Sequence, residues 1–223
     1  MVVHYGWRMA CTWNGKVNWM ELRKAIEPTT TALVLQECQN GVIGKLSALP
    51  ALAEAAEEGL IPNAAALAAA ARTAGVRVIH CTAQHRADGW GGNRNARLFR
   101  AMPKMPVPLH AGTEAVEVVA EIGVGNADVV LPRHHGLSPF EGTELDSLLR
   151  NEGIRTIVAV GVSVNVAITN LAFDAVNAGY VVVIPRDAVA GTPPDYVDAV
   201  FEHTLSMIAT VTTTADVVGA WAR

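Results

Sequence analysis

Glu37 closes an apolar run, Ala32-Leu33-Val34-Leu35-Gln36, that has the length of a buried strand. A carboxylate in such a place is costly unless it is paired, hydrogen-bonded or protonated, and a carboxylate held that way can move protons. On spacing alone, a strand-end acid pointing to solvent is the simpler reading. The second place for chemistry is Thr156 to Asn170, TIVAVGVSVNVAITN. Thr156 to Val160 reads as a buried strand, Gly161 breaks it, the polar residues Ser163 and Asn165 follow, and a helical pattern runs on to Gly179. In a parallel α/β sheet, ligands sit at the carboxyl ends of strands, against helix N-termini whose free N–H groups attract negative charge.

That turn carries no strong nucleophile. Ser163, Asp187 and His203 occur in an order compatible with a hydrolytic triad, but Gly161-Val162-Ser163-Val164-Asn165 fails the G-x-S-x-G elbow because Asn165 replaces the last glycine. A serine triad is not expected. Cys38 adjoins Glu37, and adjacent strand residues face opposite ways. Cys81 lies near the carboxyl end of a second strand, where a free cysteine is more often a small hydrophobe than a nucleophile. The polar, glycine-rich stretch from Gln84 to Arg97 follows that strand. In it Arg86, Asn93, Arg94 and Asn95 offer donors for a carboxylate or amide, and Trp90 could cover an apolar ring; an ordinary solvated loop accounts for each residue equally well. Gln39 shares a face with Glu37 if the extended backbone persists.

The elements that must hold these residues alternate between strand and helix. Strands are predicted at 32–36, 76–82, 127–131, 156–162 and 180–185, with a last one within 210–218. Helices are predicted at 48–58 and 63–73, split by Gly59 and Pro62, and at 143–151, 165–178 and 196–209. Thr143-Glu144-Leu145-Asp146 has a capping-box pattern, and residues 101–112, with three prolines, read as a surface crossing. This alternation means a mostly parallel sheet covered by helices on both faces. Residues 1–27 stand apart, with Trp7, Trp13, Trp19 and an Asn14-Gly15 hairpin signal. They are either an oligomerisation arm that packs on a partner subunit or an upstream extension, and residues 28–223 form the main domain.

ALVLQECQN at 32–40, SPFEGTELDSLLRNEGI at 138–154, GVSVNVAITNLAFDAVNAGYVVV at 161–183 and the following Asp187 resemble the isochorismatase-like hydrolase superfamily. The resemblance covers most of residues 28–215 in order. It implies a three-layer α/β/α sandwich with a six-stranded, mostly parallel sheet in the order 3-2-1-4-5-6, and a non-proline cis peptide between Val162 and Ser163. It makes Glu37 the family's general acid or base. The family's lysine falls on Arg133 counting forward from the third strand and on His134 counting back from Ser138. Arg133 would hold a permanent positive charge, whereas His134 could shuttle protons.

The family's cysteine position is Ala167, which cannot attack a carbonyl. The cysteine-dependent branch is therefore excluded, while members that work by acid catalysis remain. Nicotinamidase-like members carry an Asp-x-His metal cluster after the second strand; here that stretch is Gln84-His85-Arg86. Neither a metal nor another cofactor is expected. The resemblance implies a small-molecule substrate, contacts to it from Val162 and Ser163, and a homo-oligomer, a dimer or tetramer. The other reading is a family member that kept the fold, lost turnover and acts as a small-molecule binding or regulatory protein.

Composition narrows the classes further. A net charge of −4, with no clustered Lys/Arg stripe, argues against nucleic acid as a partner. No apolar run approaches the roughly 20 residues of a membrane span, and no signal-peptide core is visible near the start. The three cysteines, Cys11, Cys38 and Cys81, do not make a disulfide framework. A cytoplasmic protein is expected.

Overall fold

The structure, a computed structural model, describes residues 19–222. Its centre is strand β1 (Thr31–Gln36), all six residues buried. Its parallel neighbours are β2 (Arg77–Ala83) on one side and β4 (Thr156–Val162) on the other. Strand side chains alternate between faces, so Leu33 and Leu35 enter one core cluster and Ala32 and Val34 the other. This double burial is why the strand reads as a continuous apolar run. The sheet extends through β3 (Val129–Arg133) on the β2 side, and through β5 (Val181–Pro185) and β7 (Thr210–Thr212) on the β4 side. The order is β3-β2-β1-β4-β5-β7, with every pairing parallel. A two-residue strand, β6 (Val189–Ala190), pairs with the end of β4. The expected spatial order holds, but the sheet has seven strands rather than six, and the sixth place falls to the seventh strand of the chain.

Four local expectations are corrected. Gly59 and Pro62 do not split a helix: Pro50–Ala55 runs through a π turn at Ala56–Leu60 into Ile61–Ala74. Pro62 follows the π turn directly, at the start of the last segment. The third strand begins two residues later than expected. The Ala127 carbonyl accepts from the Arg77 guanidinium, and the Asp128 carboxylate turns back to accept from Gly125 N at 2.8 Å, so pairing starts at Val129 opposite Ile79. The predicted last strand stops at Thr212, and Thr214–Trp221 is helical. There Thr213 Oγ1 caps the helix by accepting from Asp216 N at 3.2 Å, and Val217 and Trp221 turn into the core. Before Leu145–Asn151, Thr143 Oγ1 accepts from Leu145 N at 3.1 Å, in place of the expected box with Asp146.

Residues 19–27 pack on the core through Leu22 and Ile26. Helix Trp19–Ala25 buries Leu22, Ile26 follows it inward, and Trp221 Nε1 donates to the Ile26 carbonyl at 3.0 Å. Of the expected 1–27 arm or extension, the structure describes only this part. Trp7, Trp13, the Asn14-Gly15 hairpin and Cys11 lie outside the described residues.

Away from the carboxyl edge of the sheet, His80 and Asp128 tie β2 to the chain entering β3. His80 Nε2 and Asp128 Oδ2 are 2.9 Å apart, and Arg72 Nη2 reaches the same carboxylate oxygen at 2.6 Å. Burial pushes the His80 pKa below its ordinary value, and the bond to Asp128 only partly opposes this. The folded state therefore takes up the His80 proton less readily than the unfolded chain, so His80 costs stability as pH falls below about 6.5. Urea midpoints measured near pH 7.5 and near pH 5 are expected to fall on acidification, and to fall less in His80→Gln.

Candidate active site

At Glu37 the backbone leaves the extended region, with φ of 54°. The turn is anchored by Glu37 N, which donates to the Cys81 carbonyl at 2.8 Å. The extended run therefore ends before Gln39, and the two side chains do not share a face. Gln39 is fully buried beneath the end of β2, where its amide accepts from Ala83 N at 2.7 Å and donates to the Ala83 carbonyl at 2.8 Å. It braces the strand end and does not line the cavity described below.

Arg133 is the last residue of β3, and its guanidinium donates through Nη2 to Glu37 Oε1. Its other arm, Nη1, donates to the carbonyls of Gly136 and His135. Gln36 Nε2 donates to the same Glu37 oxygen at 3.0 Å. Oε1 is thus held from two sides, while Oε2 receives no hydrogen bond among the described residues. The pair is largely removed from water, with 7% of the Arg133 and 18% of the Glu37 side chain exposed.

Glu37 and Arg133 border a cavity of about 160 Å³. Val162, Ser163, Val166 and Ala167 close one side, and Leu52, Phe99, Met105 and Leu109 form much of an apolar wall. Ser163 leads into a π turn at Val164–Ile168 that continues as helix Thr169–Asn177. The positive end of that helix faces the cavity. The Val162–Ser163 peptide is cis.

Of the two candidates for the family's lysine position, Arg133 reaches Glu37. His134 is exposed, its Nε2 lies 3.0 Å from Gln84 Nε2, and it borders a neighbouring groove. Arg86, Asn93 and Arg94 also border that groove and not the cavity. Arg86 pairs with Asp88 at 2.7 Å, and Trp90 is 78% exposed. Asn93 Oδ1 accepts from Gly136 N at 2.8 Å, which steadies the loop whose carbonyls hold Arg133. Ser163, Asp187 and His203 do not converge. Asp187 Oδ1 accepts from Thr214 N at 2.7 Å and from its hydroxyl at 2.9 Å, while His203 is exposed beside Glu202. Burial pushes the Cys81 thiol up to about 12 despite the opposing charge of Arg133, and raises the Cys38 thiol as well. Neither provides a ready thiolate. Among the described residues, no group of three or more His, Cys, Asp or Glu is placed to hold a metal ion.

Two contributors were missed in the sequence. Gln36 is an amide at the end of an apolar strand beside the acid, and that position was the available signal. The segment 98–109 supplies Leu98, Phe99, Met102, Met105 and Leu109 to the cavity wall. That apolar content exceeds what a solvated crossing needs.

Removing Arg133 strands the Glu37 carboxylate in a largely dry place. Arg133→Leu is expected to cost about 3–5 kcal/mol of stability, as breaking one side of a buried pair does. The double variant with Glu37→Gln should recover part of that loss. A double-mutant cycle by urea unfolding checks both values.

The acid–cation pair thus lies at the carboxyl edge of a parallel α/β sheet, beside a helix N-terminus, the place where ligands of such sheets generally bind. The chain belongs to the isochorismatase-like hydrolase family: residues 31–216 match the Isochorismatase domain. The ureidoacrylate amidohydrolase RutB of Rhizobium rhizogenes is 31% identical over 190 residues, covering 77% of this chain and 75% of its own. That of Agrobacterium fabrum is 29% identical over 185 residues, covering 77% and 81%. Among solved structures, a cysteine hydrolase from Pseudomonas syringae pv. phaseolicola matches with a TM-score of 0.77 at 27% identity, covering 88% of this chain and 94% of its own.

Proposed function

We propose that the protein hydrolyses a small metabolite by acid–base catalysis at Glu37, without a covalent thiol. The observation that carries this reading is the Glu37–Arg133 pair on a cavity whose lining also holds Ala167. The sequence resemblance puts the family's cysteine at Ala167, and a methyl group cannot attack. Water is then the nucleophile. As its oxygen bonds to the electrophilic carbon, Glu37 takes its proton and returns it to the leaving group. Arg133 and Gln36 fix Oε1, so Oε2 is the oxygen that carries the proton. Negative charge that develops on the substrate meets the helix N-terminus after Ser163, and Val162 and Ser163 contact the substrate there. An open cavity with a paired acid also favours turnover over the reading as a binding or regulatory protein, which a filled pocket would have supported.

The amidohydrolase names of the relatives make an amide one bond to test, with an enol ether the other. The experiment is a mass-spectrometric screen of a metabolite pool with wild type, Glu37→Gln and Cys81→Ser. A metabolite consumed by wild type and by Cys81→Ser, but spared by Glu37→Gln, supports the proposal. Loss of turnover in a folded Cys81→Ser would replace it with a relocated thiol nucleophile.

No helix among the described residues is long and apolar enough to cross a membrane. A cytoplasmic location is part of the proposed reading, and the net charge of −4 weighs against a nucleic-acid partner. The enzyme is a homo-oligomer in this reading, and a monomeric mass by light scattering on the full chain would contradict that.

A further inference from the structure

Beside the cavity runs a groove of about 750 Å³. The two share Phe99, Met102, Met105 and Leu109 in their linings, so groove and cavity are immediate neighbours. The groove differs from the rest of the molecule in charge. The chain has 21 Asp and Glu against 17 Lys and Arg, yet no acidic residue lines the groove. Arg86, Arg94, Arg100 and Lys104 do, as do four histidines, His85 and His110 among them.

Asp88 neutralises Arg86. Arg94, Arg100 and Lys104 make no ion pair among the described residues, which leaves three permanent positive charges uncompensated. His85 Nε2 is buried and has no hydrogen-bond partner. Burial, its largest influence, lowers the His85 pKa, with nearby Arg133 acting the same way, so the ring is mainly neutral at neutral pH.

We propose that this groove binds the phosphate-bearing end of the substrate, a phosphate ester or diphosphate, while the part to be hydrolysed enters the cavity at Glu37. A single carboxylate would leave most of the positive charge unmatched, whereas a phosphate ester or diphosphate supplies two or three negative charges. A cleft lined by one sign of charge also concentrates ligands of the opposite sign and speeds their arrival. Guanidinium groups suit phosphate oxygens because they present paired donors. The shared apolar residues between groove and cavity would cover an uncharged middle portion of the ligand. The assignment of the bound molecule as substrate rests on the hydrolase reading above; the binding itself does not.

The test is isothermal titration of inorganic pyrophosphate into the intact protein, with acetate as the single-charge comparator. Wild type should bind pyrophosphate saturably, more tightly than acetate, and more weakly as salt rises. The double variant Arg94→Gln/Arg100→Gln should lose about tenfold or more in affinity, because each charge-assisted hydrogen bond contributes on that scale. Lys45→Gln, in a different groove lined by Glu54, Glu57 and Glu117, should bind as wild type does. Glu37→Gln should also bind pyrophosphate unchanged, so failure of the hydrolase reading would show in turnover and leave this binding intact. The proposal is overturned if pyrophosphate does not saturate, if acetate binds as well, or if the double variant binds as tightly as wild type. Equal weakening by Lys45→Gln would also overturn it, since binding would then reflect the general surface field.

Discussion

Glu37→Gln is expected to lose about 10²–10⁴-fold in kcat while KM changes little, the scale of one general acid–base group. The substitution changes little besides the proton. Glutamine keeps an oxygen for the hydrogen bonds from Arg133 and Gln36, so the side chain stays in place. The atom that replaces Oε2 is an amide nitrogen, which cannot accept a proton from water. With Ala167 in the cavity lining and both described cysteines buried as thiols, no other side chain on the cavity wall is suited to take over. Steady-state kinetics on a substrate found by the screen checks the split between kcat and KM. A variant that loses binding and keeps kcat would make Glu37 an anchoring group instead.

Gly161→Ala is expected to be the most damaging small substitution in the chain. Gly161 pairs with Gln36 between β4 and β1, at φ of 115°. A Cβ there would lie 2.1 Å from the Gln36 carbonyl oxygen and 2.8 Å from its amide nitrogen. Both contacts are to backbone at the centre of the sheet, so no flexible side chain can give way. The loss should be about 3 kcal/mol or more, at the upper end for overpacking a core, with backbone strain added. The strand shift would also move Gln36 and Glu37, so any folded fraction should be catalytically poor. Urea unfolding together with kcat on the soluble fraction checks this, and wild-type values in both would contradict the close approach of β1 and β4.

The central strands were legible because burial on both faces leaves a plain mark, an unbroken apolar run, in β1 and in Thr156–Val160. The turn after β4 was legible for a related reason: a glycine and polar residues between a buried strand and a helical pattern mark the place where the chain reverses. Glu37 was visible as the acid ending β1, but its partner was not fixed. Choosing between Arg133 and His134 required the true start of β3, and that depends on side chains of Arg77 and Asp128 holding the preceding loop. Gln39 was misplaced because the positive φ at Glu37 ends the strand's alternation, and nothing local in the sequence announces that turn. The helix at Thr214–Trp221 was hidden by the β-branched residues leading into it, and its Thr213–Asp216 cap was the overlooked signal. The cavity wall from 98–109 was missed because three prolines argued for a surface crossing, while the apolar residues among and beside them line the cavity.

In the proposed reaction, hydrolysis proceeds by direct attack of water, with Glu37 moving the proton and no side chain joined to the substrate. Intact-protein mass spectrometry on acid-quenched turnover mixtures tests it most directly. Wild type, sampled from the first turnover to the steady state, should keep its unmodified mass at every time, and Glu37→Gln should do the same. A transient mass increase equal to a substrate fragment, mapped by digestion to Cys81 or any other side chain, would contradict the account.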